Sequence, residues 1–392
     1  MLHKVVAAAG QLKSFAQAAA ALRLLAGLDI SARHVGRLTQ QAGVALARTR
    51  DDKAEQRRRR RAPAVGATPA VAVVEVDGGR LGTRQPGCGP GVHQPQGKED
   101  KIACLASVRS ATQEADPQPE PPPSFLSPPR VTRLVRQMRA AAAGAAPEPD
   151  GPAAAAPPAA GDERWEGAPR RLVRTCVATM QDSRAFGPLV AGEAHSRRFY
   201  QAARRAFVAD GQAYNWTIQR GYFPDFEPIA DFLHVLCYLY LAAQAVGVAE
   251  AERWSLYVGW LRSCWQGQAS AAMAALAAAQ ERLGRPPLGE ELAERDPRRL
   301  VAEALRYLKN NQKRMDYPRY RRQGLPVTSS LVESLVGEFN ARVKGRDKWW
   351  NSPEGAEAIL QVRAALLSED DRLARHFAQR PGSPYRRRKK AG

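Results

Sequence analysis

"VAVVEVDGG", residues 71–79, is an apolar run that stops on an aspartate followed by two glycines. So continuous a run of valine and alanine is the mark of a strand buried in the middle of a sheet. A carboxylate at the end of such a strand escapes the core yet stays rigidly held. The glycine behind it lets the chain turn away or lets a substrate backbone approach. "RAFVADG", residues 205–211, repeats the device and delivers Asp210 ahead of Gly211. Adjacent strand ends bring Asp77 and Asp210 to one edge.

The neighbouring sequence supplies the rest of a sheet. "KIACLASVRS" (101–110) reads as the next strand, joined to the first by the Gly/Pro-rich "RQPGCGPGVHQPQG" (84–97). "LVRTCVATM" (172–180) is a further strand, a helix is expected from about Ser183 to Arg204, and 205–211 is a short strand after it. Strands in succession, then strand-helix-strand, indicate the α/β class with a mixed sheet. Residues 12–50 read as helices, with Gly27 ending one and Ser31 capping the next. Beyond Ile229 the pattern is nearly all helical, and an aromatic and leucine stripe through Phe232, Leu236, Leu239 and Tyr240 is the buried face of a helix.

The expected organisation is a helical DNA-binding region (1–61), a core in three parts (62–113, 169–234 and 325–367), a Pro/Ala-rich linker or insertion (114–168) with one short helix at 130–143, a helical insertion (235–324) and a basic tail (368–392).

Charge narrows the function. The chain has 392 residues, and 59 Lys and Arg against 39 Asp and Glu leave it at +20. Such an excess suits a polyanion, because neutralising phosphates releases their counterions. A glycoside hydrolase would explain paired carboxylates but not this charge, "RRRRR" at 57–61 or the tail "YRRRKK". The five cysteines form no C-x-x-C pair, which argues against a disulfide framework or zinc knuckle. No apolar run is long enough to span a bilayer, and the alanine-rich start lacks a signal-peptide pattern, so a cytoplasmic location is expected.

Two fixed carboxylates invite Mg²⁺, which favours hard oxygens and keeps positions for water and phosphate. A pair of ions needs a third carboxylate. "LPVTSSLVESLVGEFNARVKG" (325–345) supplies it: Ser329 or Ser330 caps a helix whose first turn carries Glu333. Asp231, in "DFLH" with His234, rivals Asp210 as second ligand, since an Asp/His pair three residues apart on a helix can itself bind metal. A helix cap beside a satisfied histidine is the plainer account of that pair.

These acids, with "VDGGRLGTR", "FVADGQAYNWTIQRGYFPDFEPIADFLHVLCYL", "YLKNNQKRMDYPRYRRQGLPVTSSLVES" and "RVKGRDKWWNSPEGAEAILQVRAALLS", resemble the DDE transposases of bacterial insertion sequences. The resemblance covers most of 12–385 and extends to the Mutator-type branch, with its Cys/Asp-x-x-His signature. It implies a ribonuclease-H-like fold and makes Asp77, Asp210 and Glu333 the catalytic, metal-binding triad, with Asp231 and His234 supporting it. It further implies two Mg²⁺ or Mn²⁺ ions, cleavage and strand transfer of double-stranded DNA, a homodimer or larger assembly on that DNA, and action at the bacterial nucleoid. A decayed or domesticated transposase that only binds DNA is the alternative.

The residues expected to contact DNA are basic. Arg33 and Arg37 lie on the outer face of a helix-turn-helix-like pattern that is equally an ordinary helical hairpin. Arg57 and Arg58 open the arginine run, and Arg314, Arg319 and Arg321 alternate with Tyr317 and Tyr320. "VKGRDKWW" places Lys344, Arg346, Lys348 and Trp349 after the Glu333 helix, a mixture suited to phosphate contact and base stacking or to core packing.

Overall fold

The computed structural model describes residues 1–61, 67–84, 96–142, 165–287, 289, 292–343 and 349–379, without the side chains of 96, 97, 140–142, 330–334 and 336. Three helices come first: α1 (Leu2–Gln11), α2 (Phe15–Ala26) and α3 (Ala32–Arg58). Ser14 and Ser31 cap α2 and α3, accepting the amides of Gln17 at 3.1 Å and His34 at 3.2 Å. Strands β1 (Val71–Thr83) and β2 (Gln96–Arg109) follow, then α4 (Pro128–Ala142), β3 (Arg170–Thr179), α5 (Ser183–Ser196), β4 (Arg204–Ala209), α6 (Ala213–Tyr222) and β5 (Glu227–Ala230). The rest is helical: α7 (Phe232–Val246), α8 (Glu250–Trp265), α9 (Ala269–Leu283), α10 (Pro297–Asn311), α11 (Tyr317–Arg322), α12 (Ser330–Val343), α13 (Pro353–Leu367) and α14 (Arg372–Ala378).

The strands form one mixed α/β sheet in the order β3-β2-β1-β4-β5. β1 is central, antiparallel to β2 and parallel to β4, which is parallel to β5 in turn. Both faces of β1 are covered, as its unbroken apolar run requires. Val71 and Val73 pack with Ala206 and Val208 beneath the large layer of α7, α8 and α10. Ala72, Val74 and Val76 pack with Phe207 and Ala209 beneath α5 and α6, against Phe186, Val190, Trp216 and Ile218.

A third cluster explains the N-terminal helices. Val6, Ala42 and Leu46 share it with Leu81, Ile102, Cys104 and Cys176 of the sheet, and with Leu335, Phe339, Ile359 and Leu360 of α12 and α13. α1 and α3 are thus packed into the sheet's own core, and α2 packs with them in a separate cluster. Arg50 of α3 donates to the carbonyl of Ala178 at 2.8 Å, and Lys53 pairs with the buried Glu193 of α5 at 2.8 Å. Gly43 lies where α3 crosses α13, and a Cβ there would fall 2.1 Å from the carbonyl oxygen of Ala358.

Several expectations change. β1 does not stop at its aspartate and glycines but runs on to Thr83, paired with β2 throughout. Only its parallel partner ends there, at Val76 opposite Ala209. The helix after β3 ends at Ser196 rather than Arg204, and α1, α6 and β5 were not anticipated. Within 114–168, residues 114–142 are no linker. Asp116 holds Arg321, the carbonyl of Gln118 accepts Trp265 Nε1 at 2.8 Å, and Phe125 stacks on Phe232 at 5.8 Å. Among the described residues, no helix is long and apolar enough to cross a membrane.

Because backbone rather than a flexible side chain faces Gly43, one methyl group must push α3 off α13. Gly43→Ala is expected to lower stability by about 2–3 kcal/mol, measured as a fall in the urea midpoint at unchanged slope.

Candidate active site

The sheet register gathers three acids. Val76 lies opposite Ala209, and Ala209 opposite Ala230. The next residue along each of these parallel strands is Asp77, Asp210 and Asp231. Alternation puts Asp77 and Asp210 on the same face as Val71, Val73, Ala206 and Val208, the face covered by α7. Asp77 and Asp210 are partly exposed, whereas Asp231 is buried.

Local sequence holds each acid differently. Asp77 Oδ1 accepts the amide of Gly78 at 2.7 Å. Asp210 Oδ1 accepts the amide of Gln212 at 3.0 Å and Asn215 Nδ2 at 2.8 Å, an Asx turn that leads into α6. Gly211 makes that turn possible: its φ is +92°, and a Cβ would lie 2.7 Å from both Asn311 Nδ2 and Tyr307 Cε2.

Asp231 is the N-cap of α7 and has no free oxygen. Its Oδ1 accepts the amides of Leu233 at 3.3 Å and Ser329 at 2.7 Å. Its Oδ2 accepts the amide of His234 at 3.3 Å and His234 Nδ1–H at 2.6 Å. Ser329 immediately precedes α12, and the amide of Phe232 donates to the carbonyl of Val327 at 3.0 Å. One buried carboxylate therefore ties the start of α7 to the start of α12. Glu333 stands in the first turn of α12, and its side chain lies outside the described residues. Sequence left Asp210 and Asp231 as rivals. Hydrogen bonding distinguishes them, since Asp231 is saturated and Asp210 uses only Oδ1.

The charges at this edge are coupled. Burial and the neighbouring Asp210 push Asp77 up to about 6, against the pull of His234 and the Gly78 amide. Burial pulls His234 down, but the hydrogen bond and charge of Asp231, with Asp210 and Asp77, outweigh it and push the imidazole up to about 10. His234 is thus a cation at neutral pH. Burial, with Asp210, Glu99 and Asp77, keeps the Tyr214 hydroxyl protonated, and Lys101 Nζ lies 5.5 Å from that ring.

Among the described residues, no group of three or more His, Cys, Asp and Glu side chains is placed to hold a metal ion. The donor chemistry of Asp77 and Asp210 nevertheless fits Mg²⁺ or Mn²⁺, which bind through one or two carboxylates and retain water.

The basic candidates divide by what already holds them. Arg33 and Arg37 are exposed at the start of α3, beside a cleft of about 580 Å³ that also reaches Trp350 and Ser352. Arg57 lies over the Tyr200 ring at 5.4 Å, and Arg58 pairs with Glu55. Because α3 has 27 residues, these two pairs sit at opposite ends of a rod about 40 Å long. Arg321 is not a DNA contact: it is fully buried, bound through Nε at 2.7 Å and Nη2 at 2.5 Å to Asp116, and stacked on Trp265. Arg319 is held by both oxygens of Glu227 and by Asp316. Tyr317 and Tyr320 are core residues rather than stacking platforms. Arg314 has no carboxylate among the described residues and lies 4.3 Å over Trp216.

Trp349 packs against Gly82 of β1, where a Cβ would meet its ring at 2.8 Å. Trp350 extends that edge, exchanging backbone hydrogen bonds with Gly82 and Arg84. Lys344, Arg346 and Lys348 lie outside the described residues. Sequence reasoning missed Asn215, and it named Ser329 as a helix cap without its bond to Asp231. Asn215 had a signal in its place five residues after Asp210, whereas the bond from Ser329 uses its backbone amide, which no side-chain pattern marks.

Compared with known proteins, the chain matches no family model and no curated protein.

Asp77 ionises with difficulty, so its charge costs stability above pH 6 and nothing below its ordinary pKa of 3.8. In chelator, Asp77→Asn is expected to stabilise the protein at pH 8 by about 1–2 kcal/mol, water at the partly exposed carboxylate screening the remainder. The gain should vanish by pH 4, as thermal melts across that range would record.

Proposed function

We propose that this chain is a DDE-type transposase that cuts double-stranded DNA at the ends of an insertion sequence and joins the freed ends to target DNA. The support is geometric. Asp77 and Asp210 follow Val76 and Ala209, the last paired residues of adjacent parallel strands, share a face and are both partly exposed, and the charge of Asp210 helps push the Asp77 carboxyl up. Neighbouring carboxylates whose charges repel are the arrangement that a divalent metal stabilises. The five-stranded mixed sheet, with helices on both faces, is compatible with the ribonuclease-H-like fold of that family.

Asp77, Asp210 and Glu333 would hold the ions. Two Mg²⁺ or Mn²⁺ ions would supply charge at the scissile phosphate and an activated water for the first cut. The chain's own residues position and hold. Asn215 and the Gln212 amide fix Asp210 through one oxygen, so the other would be available to a metal. Asp231 anchors the start of the helix that carries Glu333, through Ser329. His234, charged by its bond to Asp231, offsets part of the negative charge that gathers at the edge. The freed 3′-hydroxyl is the second nucleophile, so no covalent protein intermediate is needed and catalysis rests on positioning and electrostatics. Two copies of the chain on DNA, one for each end of the element, complete the assembly at the nucleoid of the bacterial cytoplasm.

The test uses purified protein, Mg²⁺ and a linear duplex that carries the coding sequence with its natural flanks. Asp77→Asn and Asp210→Asn are each expected to reduce strand cleavage on the order of 10³-fold while duplex binding is kept. Cleavage by Asp77→Asn at the unsubstituted rate would sink the assignment. Binding with no cleavage by the unsubstituted protein would favour a transposase that only binds DNA.

A further inference from the structure

The outer face of α10 is basic and leads to the acid edge. Val301, Ala304, Leu305, Leu308 and Asn311 pack inward, leaving Arg306, Lys309 and Asn310 exposed. The chain continues through a 3-10 turn, Gln312–Arg314, with Lys313 exposed. Arg220, at the end of α6, is exposed beside it.

Two contacts fix this face against Asp210. Arg314 lies over the Trp216 ring at 4.3 Å, and Trp216 Nε1 donates to Asn311 Oδ1 at 3.0 Å. Asn311 in turn is close-packed on Gly211, the residue after Asp210. On the other side, Tyr307 stacks on Tyr238 at 4.2 Å and 22°, and Tyr238 is partly exposed one helical turn beyond His234. Basic side chains and an aromatic pair thus adjoin the turn that carries the second acid.

The charge here is uncompensated. Arg220, Arg306, Lys309, Lys313 and Arg314 make no ion pair with any described residue. Glu303, on the same helix, is engaged by Arg299 at 2.8 Å. Burial and the nearby Arg220 both lower the pKa of Arg314, so the cations repel one another. Phosphates relieve that repulsion. From Arg306 to Lys313 the helix rises about 10 Å, roughly three nucleotide steps along one strand.

We propose that the α6–α10 face is a phosphate track, on which Arg220, Arg306, Lys309, Lys313 and Arg314 bind the backbone of duplex DNA and lead it to Asp210. This rests on DNA being the substrate of the acid edge. The track takes the place of Arg319 and Arg321, which carboxylates already hold. Its contacts are sequence-independent, so the track orients DNA without choosing a site.

The experiment measures binding of the full-length protein to a fluorescein-labelled duplex of about 30 base pairs, without metal, between about 50 and 200 mM salt. The variant is Arg220→Gln, Arg306→Gln, Lys309→Gln and Lys313→Gln together, all at exposed positions. A control removes equal charge elsewhere, through Arg262→Gln, Arg282→Gln, Arg285→Gln and Arg295→Gln, also exposed. The track variant is expected to bind about tenfold or more weakly at the lowest salt, with a logarithmic salt slope shallower by about 3–4. The control should keep the unsubstituted slope to within about 1. A track variant that matches the unsubstituted protein, or a control that loses as much, overturns the track while DNA remains the substrate. An unsubstituted protein that does not bind the duplex at the lowest salt overturns both.

Discussion

The buried carboxylate of Asp231 is the constraint on which the rest of the site depends. An ionised acid taken out of water is costly unless every lone pair is used, and here four donors use them. Hydrogen bonds to a charged group contribute about 1.5–3 kcal/mol each, and the Asp231–His234 pair adds opposite charge at contact distance. The donors come from two segments nearly a hundred residues apart in sequence, the start of α7 and the residue before α12. Once the carboxylate is satisfied, both helix starts are fixed at the end of β5. The acid that looks most like a ligand in its surroundings is thereby the one that builds them.

The other two acids can then remain open. Asp77 and Asp210 are held by short local bonds through Oδ1, and both residues are partly exposed. Their mutual repulsion is stored in the fold, because the register Val76 opposite Ala209 leaves them no way apart. The helical layer over this face gains its rigidity from another buried pair. Arg321, between Asp116 and Trp265, pins the segment before α4 to α8 and α11. A basic residue expected to contact DNA is instead part of the packing, and the unpaired cations lie on α6, α10 and the turn that follows α10.

How far the sequence could be followed depended on whether the signal was local. Apolar runs that end in Asp-Gly located Asp77 and Asp210, because a buried strand and a tight turn have unlike compositions. At Gly211 the turn is real and needs a positive φ. At Gly78 it is not, since β2 continues as a partner and the backbone stays extended. The basic and aromatic alternation of 309–322 was misleading for the same reason. Tyr317, Tyr320 and Arg321 have helical spacing, and spacing alone does not say whether a face meets solvent or Phe232 and Trp265.

By itself the sequence determined the α/β class, the central strand, the cap at Ser31, and the two aspartates at strand ends. Each of these depends on residues within one element, where backbone sterics, burial and hydrogen bonding are nearly decided. Only the tertiary structure decided that Asp231 is saturated, that α1 and α3 join the sheet's core, and which of the described arginines are free. Those outcomes depend on partners distant in the chain: the Ser329 amide, Ala358, Asp116 and Glu227. Whether a charged group is solvent-facing or consumed is a property of the partner that folding brings to it, and no local pattern carries that partner's identity.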